Sequence, residues 1–106
     1  MVIDTRNRRP EFANTTAGLS GPAIKPIALA LVYDVAGAVE IPVIGCGGIT
    51  TADDAIQFLM AGASAVQVGS ATYANPRVSL EVLEGIMQFM EREGMESLRD
   101  IIGAAR

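Results

Sequence analysis

Two short hydrophobic runs, separated by a helical pattern, stand at the centre of the chain. Residues 41–45 (IPVIG) and 65–68 (AVQV) are almost continuously apolar, as parallel strands are when both sheet faces are covered. Between them, Thr51 is placed to cap a helix with Asp54 three residues later, and apolar residues then recur at helical spacing. The pattern predicts one strand–helix–strand unit from Ile41 to Ser70.

The flanking segments have less regular patterns. The opening residues look like two short extended pieces around a polar turn, and a run of small and polar residues follows. Helical spacing is present from Pro22 through Ala36 and again from Asn75 to Gly94. We therefore divide this single partial domain into a hairpin (1–13), a loop (14–21), βα units with phosphate-binding turns (22–94) and a C-terminal amphipathic helix (95–106).

The composition is apolar for so short a chain. Half of the 106 residues are hydrophobic, although the surface of a small domain is a large fraction of the whole. Two parallel strands also leave two unpaired edges and one bare sheet face. We predict an α/β fold that is the C-terminal part of a (β/α)8 TIM barrel, with about two βα units plus an N-terminal hairpin, incomplete as a barrel. The expected partner is the remainder of the barrel or a second copy of the chain.

Charge and residue usage narrow the classes of function. The net charge is −4 and the basic residues are mostly scattered, so we expect no nucleic-acid partner. The chain has one cysteine, Cys46, and no histidine, which excludes an internal disulfide and histidine-based metal or triad chemistry. No signal-peptide core or membrane-spanning stretch is present. We expect a cytoplasmic protein without a metal or a membrane contact.

The candidate site is a pair of glycine turns. Gly47-Gly48 and Gly69-Ser70 each follow a predicted strand, and the carboxyl ends of adjacent parallel strands lie at one edge of the sheet. A glycine N–H approaches phosphate closely because no Cβ intervenes, and a serine adds a hydroxyl. Eight-stranded barrels often bind phosphate after strands seven and eight, beside a short extra helix, here residues 71–74. The alternative is that the glycines only turn each strand into its helix.

Three motifs in the same order resemble one family. GLSGPAIKP (18–26), IPVIGCGGI (41–49) and AGASAVQVGS (61–70) are similar to the C-terminal portion of dihydroorotate dehydrogenases, most nearly the class 1B enzymes. The resemblance implies an FMN-containing (β/α)8 barrel that oxidises dihydroorotate to orotate in pyrimidine biosynthesis. It also implies that four glycines and one serine contact FMN, mainly at its phosphate end: Gly21, Gly47, Gly48, Gly69 and Ser70.

The parts of that family's site that perform the chemistry have no counterpart here. The catalytic base, the lysine near the flavin and the substrate-binding asparagines belong to earlier segments, so we expect no catalytic residue in this chain and no activity from it alone. Cys46, at the variable position of the GCGG turn, is expected to be small and buried, and Lys25 to face solvent. The resemblance also implies an electron-transfer subunit that carries FAD and an iron-sulfur cluster.

The sequence also allows two alternatives. A different barrel enzyme would use the same turns for a sugar phosphate or a nucleotide, although GLSGPAIKP argues against it. A free-standing βαβ module would bind an anion or a partner protein without catalysis, and it would form a defined oligomer with cooperative unfolding.

Overall fold

The computed structural model describes residues 1–106 and shows an elongated α/β chain. The radius of gyration is 16.8 Å and the extents are 58 × 33 × 17 Å, whereas a compact domain of this length has a radius of gyration of about 13 Å. The elements in chain order are β1 (Ile3–Asp4), β2 (Arg9–Pro10), a 3-10 turn (Pro22–Ile24), α1 (Lys25–Ala38), β3 (Ile44–Cys46), α2 (Ala52–Met60), β4 (Ala65–Gln67), α3 (Ala71–Ala74), α4 (Val78–Glu93) and a second 3-10 turn (Leu98–Asp100).

The N-terminal residues form the predicted hairpin. β1 and β2 are antiparallel, with Ile3 opposite Pro10 and Asp4 opposite Arg9. The Asp4 carboxylate closes the turn by accepting hydrogen bonds from the backbone N–H of Arg6 and from both the backbone and the side chain of Asn7. These hydrogen bonds, those from Asn7 foremost, lower the pKa of Asp4. Residues 5–20 are exposed throughout, so the hairpin and the following loop contribute nothing to the core.

The central βαβ unit is also present as predicted. β3 and β4 pair in parallel, with Ile44 opposite Ala65 and Cys46 opposite Gln67. α2 begins at the predicted capping box, in which the Thr51 hydroxyl accepts from the Asp54 N–H and the Asp54 carboxylate accepts from the Thr51 N–H. Twelve hydrophobic residues form the core: Val32, Ile49, Ala55, Ile56, Phe58, Leu59, Ala61, Ala63, Val78, Val82, Ile86 and Ile101.

α1 and α2 pack on the two strands, and α4 packs on α2. α2 contacts both α1 and α4, and it carries more buried side chains than any other element. α1 buries only Val32, whereas Ile27 and Leu31 on its predicted apolar stripe are 66% and 59% exposed. β3 and β4 are the only strands of their sheet. The chain is therefore an α/β layer with unpaired strand edges and no closed barrel.

The prediction of a C-terminal helix over residues 95–106 is wrong. Leu98–Asp100 forms a 3-10 turn, and the chain then continues through further turns. The N–H groups of Gly103 and Ala105 donate to the carbonyls of Leu59 and Met60, at 3.0 and 3.2 Å. These carbonyls belong to the last turn of α2, where a helix leaves its acceptors unpaired. The tail therefore caps α2 instead of forming its own helix.

The side chain of Arg106 contacts both α1 and the end of α2. The Arg106 guanidinium donates to the carbonyl oxygen of Tyr33 in α1, at 2.5 Å, and to that of Ala61 after α2, at 3.0 Å. It also lies over the Tyr33 ring, with 4.6 Å between its Cζ and the ring centroid.

Other differences from the sequence predictions are small. α4 starts at Val78 rather than beside Asn75, and it ends before Gly94 as predicted, where φ is +66°. No helix has both the length and the apolar character needed to cross a membrane.

Candidate anion-binding pocket

One pocket brings together all five residues predicted as the site. Its volume is about 280 Å³, and it lies where the loop before α1 meets the turns that follow β3 and β4. The parallel pairing of the two strands places these turns side by side. No charged side chain lines the pocket, whose residues are Leu19, Ser20, Gly21, Ile24, Cys46, Gly47, Gly48, Ile49, Gln67, Gly69 and Ser70.

The first wall, Gly47-Gly48, requires glycine for two reasons. The φ angles are +133° and +72°, in the region that other residues avoid. A Cβ on Gly47 would lie 2.8 Å from the Ala28 Cβ, and one on Gly48 would lie 2.8 Å from the Gly21 carbonyl oxygen. Gly21 itself has a φ of +94°. This wall is thus fixed by its own backbone and by close packing.

The second wall, Gly69-Ser70, is open. A Cβ added to Gly69 would meet nothing within 4 Å, and its φ is not positive. The Gly69 carbonyl accepts hydrogen bonds from the Thr72 N–H at 3.0 Å and the Thr72 hydroxyl at 2.7 Å. Because C=O and N–H point in opposite directions in a trans peptide, the Ser70 N–H points away from Thr72.

The two walls contain backbone donors without an intramolecular partner. No hydrogen bond outside the helices and strands is donated by the N–H groups of Gly47, Gly48, Gly69 or Ser70. Polar backbone groups of this kind normally find an acceptor in protein, water or ligand. With the hydroxyl groups of Ser20 and Ser70 at the same pocket, the donor set fits a small oxyanion such as a phosphate monoester.

The sequence predicts that Lys25 faces solvent, and the structure shows that this prediction is wrong. Its ammonium group lies 2.5 Å from the Asp54 carboxylate, and its side chain is 23% exposed. The pattern along one helix does not reveal this pairing, because Asp54 lies 29 residues further along the chain. Burial opposes ionisation of Asp54, but the hydrogen bonds from Lys25, Thr50 and Thr51 outweigh it and hold the pKa of the carboxyl well below its usual range.

Cys46 is exposed, which corrects the prediction of a buried side chain. It lies at the end of β3, on a strand whose outer edge has no neighbour to cover it. It lines both the pocket and an apolar groove between α1 and β3. Gln67, the last residue of β4, lines the same pocket.

Sequence reasoning missed several parts of the site. The pocket is also lined by Leu19, Ser20, Ile24 and Ile49. Ser20 could have been predicted from the sequence, because it belongs to the LSGP motif. No group of three or more histidine, cysteine, aspartate or glutamate side chains is placed to hold a metal ion.

The fold and the pocket define a class of α/β protein that presents backbone donors at the carboxyl ends of parallel strands. The family model described as dihydroorotate dehydrogenase matches residues 1–90. The chain therefore belongs to the dihydroorotate dehydrogenase family.

Individual relatives agree with this assignment. The chain is 54% identical over 103 residues to a protein of Alkaliphilus oremlandii named dihydroorotate dehydrogenase B (NAD(+)), catalytic subunit, covering 97% of this chain and 34% of the relative. It is also 54% identical over 106 residues to a Solibacter usitatus protein named as dihydroorotate dehydrogenase A (fumarate), covering 100% of this chain and 35% of that one. The chain thus spans about a third of the length of these curated relatives.

A solved structure gives the same result. The crystal structure of the Eimeria tenella dihydroorotate dehydrogenase in complex with ferulenol superposes with a TM-score of 0.78 at 29% identity. The superposition covers 89% of this chain and 26% of that enzyme. A mixed α/β chain without a closed barrel, similar to part of such an enzyme, is consistent with a partial TIM barrel.

Proposed function

We propose that the chain is the C-terminal segment of a dihydroorotate dehydrogenase and that its pocket binds the phosphate of FMN. The observation that carries the proposal is the convergence of two glycine turns whose N–H groups have no protein acceptor. A phosphate held by such backbone groups needs no cationic side chain, and none lines the pocket.

Each pocket residue has a role in this proposal. The N–H groups of Gly47, Gly48, Gly69 and Ser70 donate to phosphate oxygens, and the Ser70 hydroxyl adds a fifth donor. Gly21 forms the side of the pocket that closes over the first turn. FMN, when bound, supplies the acceptor for the hydride removed from dihydroorotate. The residues of this chain bind and orient the cofactor, and they include no group assigned to proton transfer.

The remainder of the proposed enzyme lies outside these residues. We propose that β3 and β4 with their helices are two βα units of a (β/α)8 barrel, whose other strands pair with the free edges. The whole protein would oxidise dihydroorotate to orotate in the cytoplasm. The name catalytic subunit, used for the Alkaliphilus oremlandii relative, supports a partner subunit. We propose that this partner transfers electrons and carries FAD and an iron-sulfur cluster. The relative named for fumarate is equally similar, so the sequence similarity of this segment does not distinguish between the two electron acceptors.

A pair of flavins tests the phosphate site directly. The 106-residue chain would be titrated with FMN and with riboflavin, which lacks the phosphate, while amide resonances are followed by NMR. We expect FMN to bind at least about tenfold more tightly and to shift the amides of Gly47, Gly48 and Ser70. Equal affinities for the two flavins would contradict the proposal. Binding of inorganic phosphate as tight as that of FMN would favour the simple anion-binding module.

A chimera tests the parent activity. The C-terminal third of the Alkaliphilus oremlandii relative would be replaced by this chain, and the purified protein assayed for flavin content and dihydroorotate oxidation. We expect flavin to be retained and oxidation to occur. A folded chimera that contains no flavin would contradict the assignment.

A further inference from the structure

One ion pair lies directly behind the pocket without lining it. Lys25 begins α1, immediately after the 3-10 turn that follows Gly21, and Asp54 lies in the first turn of α2. Their side chains are 23% and 12% exposed, with 2.5 Å between the Lys25 Nζ and the Asp54 Oδ1. The pair therefore joins two segments that form different sides of the pocket.

On the α2 side, Asp54 holds the segment that follows the first glycine turn. Its Oδ2 accepts hydrogen bonds from the Thr50 N–H at 2.9 Å, the Thr50 hydroxyl at 2.9 Å and the Thr51 N–H at 3.0 Å. Its Oδ1 is occupied by Lys25. One carboxylate thus fixes residues 50–51, which are separated from Gly48 only by the buried Ile49.

On the α1 side, Lys25 packs directly against that turn. A Cβ on Gly48 would lie 2.9 Å from the Lys25 Cβ and 3.0 Å from its backbone nitrogen. The Gly21 carbonyl oxygen is 2.8 Å from the same point. Gly69, on the second wall, has no such neighbour within 4 Å. The ion pair therefore braces the Gly21 segment and the Gly47-Gly48 turn, and it does not touch the Gly69-Ser70 wall.

On the basis of the flavin-phosphate site proposed above, we infer that Lys25 and Asp54 are positioning residues whose ion pair holds Gly21 and Gly47-Gly48 at the spacing that phosphate binding requires. Lys25 does not act as a phosphate ligand, because its ammonium is paired with Asp54 and does not line the pocket. The pair supplies geometry, and the backbone N–H groups supply the donors.

The test compares Lys25→Met with Arg92→Met in the 106-residue chain. Arg92 forms the other ion pair, with Glu93 at 3.0 Å, and it is exposed and far from the pocket in the sequence. Lys25→Arg tests rescue by a residue that keeps the charge, and Asp54→Asn together with Lys25→Met/Asp54→Asn completes a double-mutant cycle. The two readouts are the backbone order parameters of the ligand-free chain and the dissociation constant for FMN.

We expect Lys25→Met to lower the order parameters of Gly21, Gly47 and Gly48 from about 0.85 to below about 0.6, with Gly69 and Ser70 unchanged. FMN binding weakens about tenfold in this variant and about twofold or less in Arg92→Met and Lys25→Arg. The double variant should bind FMN no more weakly than Lys25→Met, since the two residues act as one unit.

Two results would overturn the inference. One is an unchanged Gly47-Gly48 turn in Lys25→Met, and the other is a loss of order spread evenly over the whole chain, which would indicate a general structural role. If the unsubstituted chain fails to prefer FMN over riboflavin, the proposed function is wrong. The order parameters of the ligand-free variants then still decide the positioning role.

Discussion

Both walls of the pocket present backbone N–H groups that have no protein acceptor, but the two walls are held in place differently. Gly47-Gly48 has positive φ angles, close neighbours on both residues and an ion pair behind it. Gly69-Ser70 has no positive φ and empty space where the Gly69 Cβ would be. The first wall is closely packed against α1 and the Gly21 loop, whereas the second is an open loop end. A glycine on one wall is needed by the fold, and a glycine on the other is needed only if a ligand comes close.

The largest effect should follow from a side chain on the first wall. Gly48→Val requires a β-branched residue at φ +72° and places its Cβ against the Gly21 carbonyl. We expect the free energy of unfolding to fall by about 3 kcal/mol. Urea unfolding measures this change. Gly18→Val is the matched control, because a Cβ on Gly18 meets nothing within 4 Å and its φ is not positive. If Gly48→Val and Gly18→Val were equally stable, the claim that the fold requires glycine on the first wall would be wrong.

The ion pair behind the first wall should give the next effect, and it should depend on pH. The folded-state pKa of Asp54 lies below the ordinary aspartate value of about 3.9. Its contribution to stability is therefore fully present above that value and is lost as the pH falls toward the lowered pKa.

We expect Asp54→Asn to cost about 2 kcal/mol at pH 7 and to flatten the decline of stability below about pH 4. Unfolding curves at a series of pH values, with the unsubstituted chain alongside, measure both quantities. A variant that keeps the full acid dependence would show that other carboxylates cause it.

A substitution on the second wall should weaken FMN binding without changing the stability of the fold. Gly69→Val adds atoms only to open space, so its free energy of unfolding should change by no more than about 0.5 kcal/mol. The same side chain occupies the volume proposed for the phosphate, and we expect FMN affinity to fall at least about tenfold. Calorimetric titration and thermal unfolding of the same sample provide the two numbers. A large loss of stability would mean that the fold requires glycine on this wall as well.

Cys46→Ala should have the smallest effect. Cys46 is exposed and lies at the pocket margin. We expect FMN affinity to change by less than about twofold, far less than in Gly47→Val or Gly69→Val. Equal FMN affinity in all three variants would contradict the assignment of the glycine turns to the phosphate.

Local patterns predicted most of the fold and the convergence of the two glycine turns. The capping box at Thr51 and Asp54 was predicted because both partners lie within one helical turn. The glycine turns were predicted because they directly follow strands whose parallel pairing brings them together. These features depend on neighbours in the sequence and on one general rule of sheet geometry.

The features that were missed depend on distant partners. Lys25 lies on the polar side of the pattern of α1, and only the packing of α2 supplies its carboxylate. The tail after Gly94 has a helical pattern, but two of its N–H groups donate hydrogen bonds to carbonyls at the end of α2. The sequence predicts a buried Cys46 because a parallel strand normally has neighbouring strands on both sides. In the structure, β3 has a neighbour on only one side.

The hydrogen-bond donors of the pocket come mainly from the main chain, and this affects how the site is mapped and how it changes during evolution. Truncating side chains one at a time, the usual mutational scan, would pass over Gly47, Gly48 and Gly69 because they have nothing to remove. Only substitutions that add atoms report on such a site. Side chains that neither donate to the ligand nor hold the turns are free to diverge while the donors stay the same, so we expect the glycine spacing to persist longer than the residues around it.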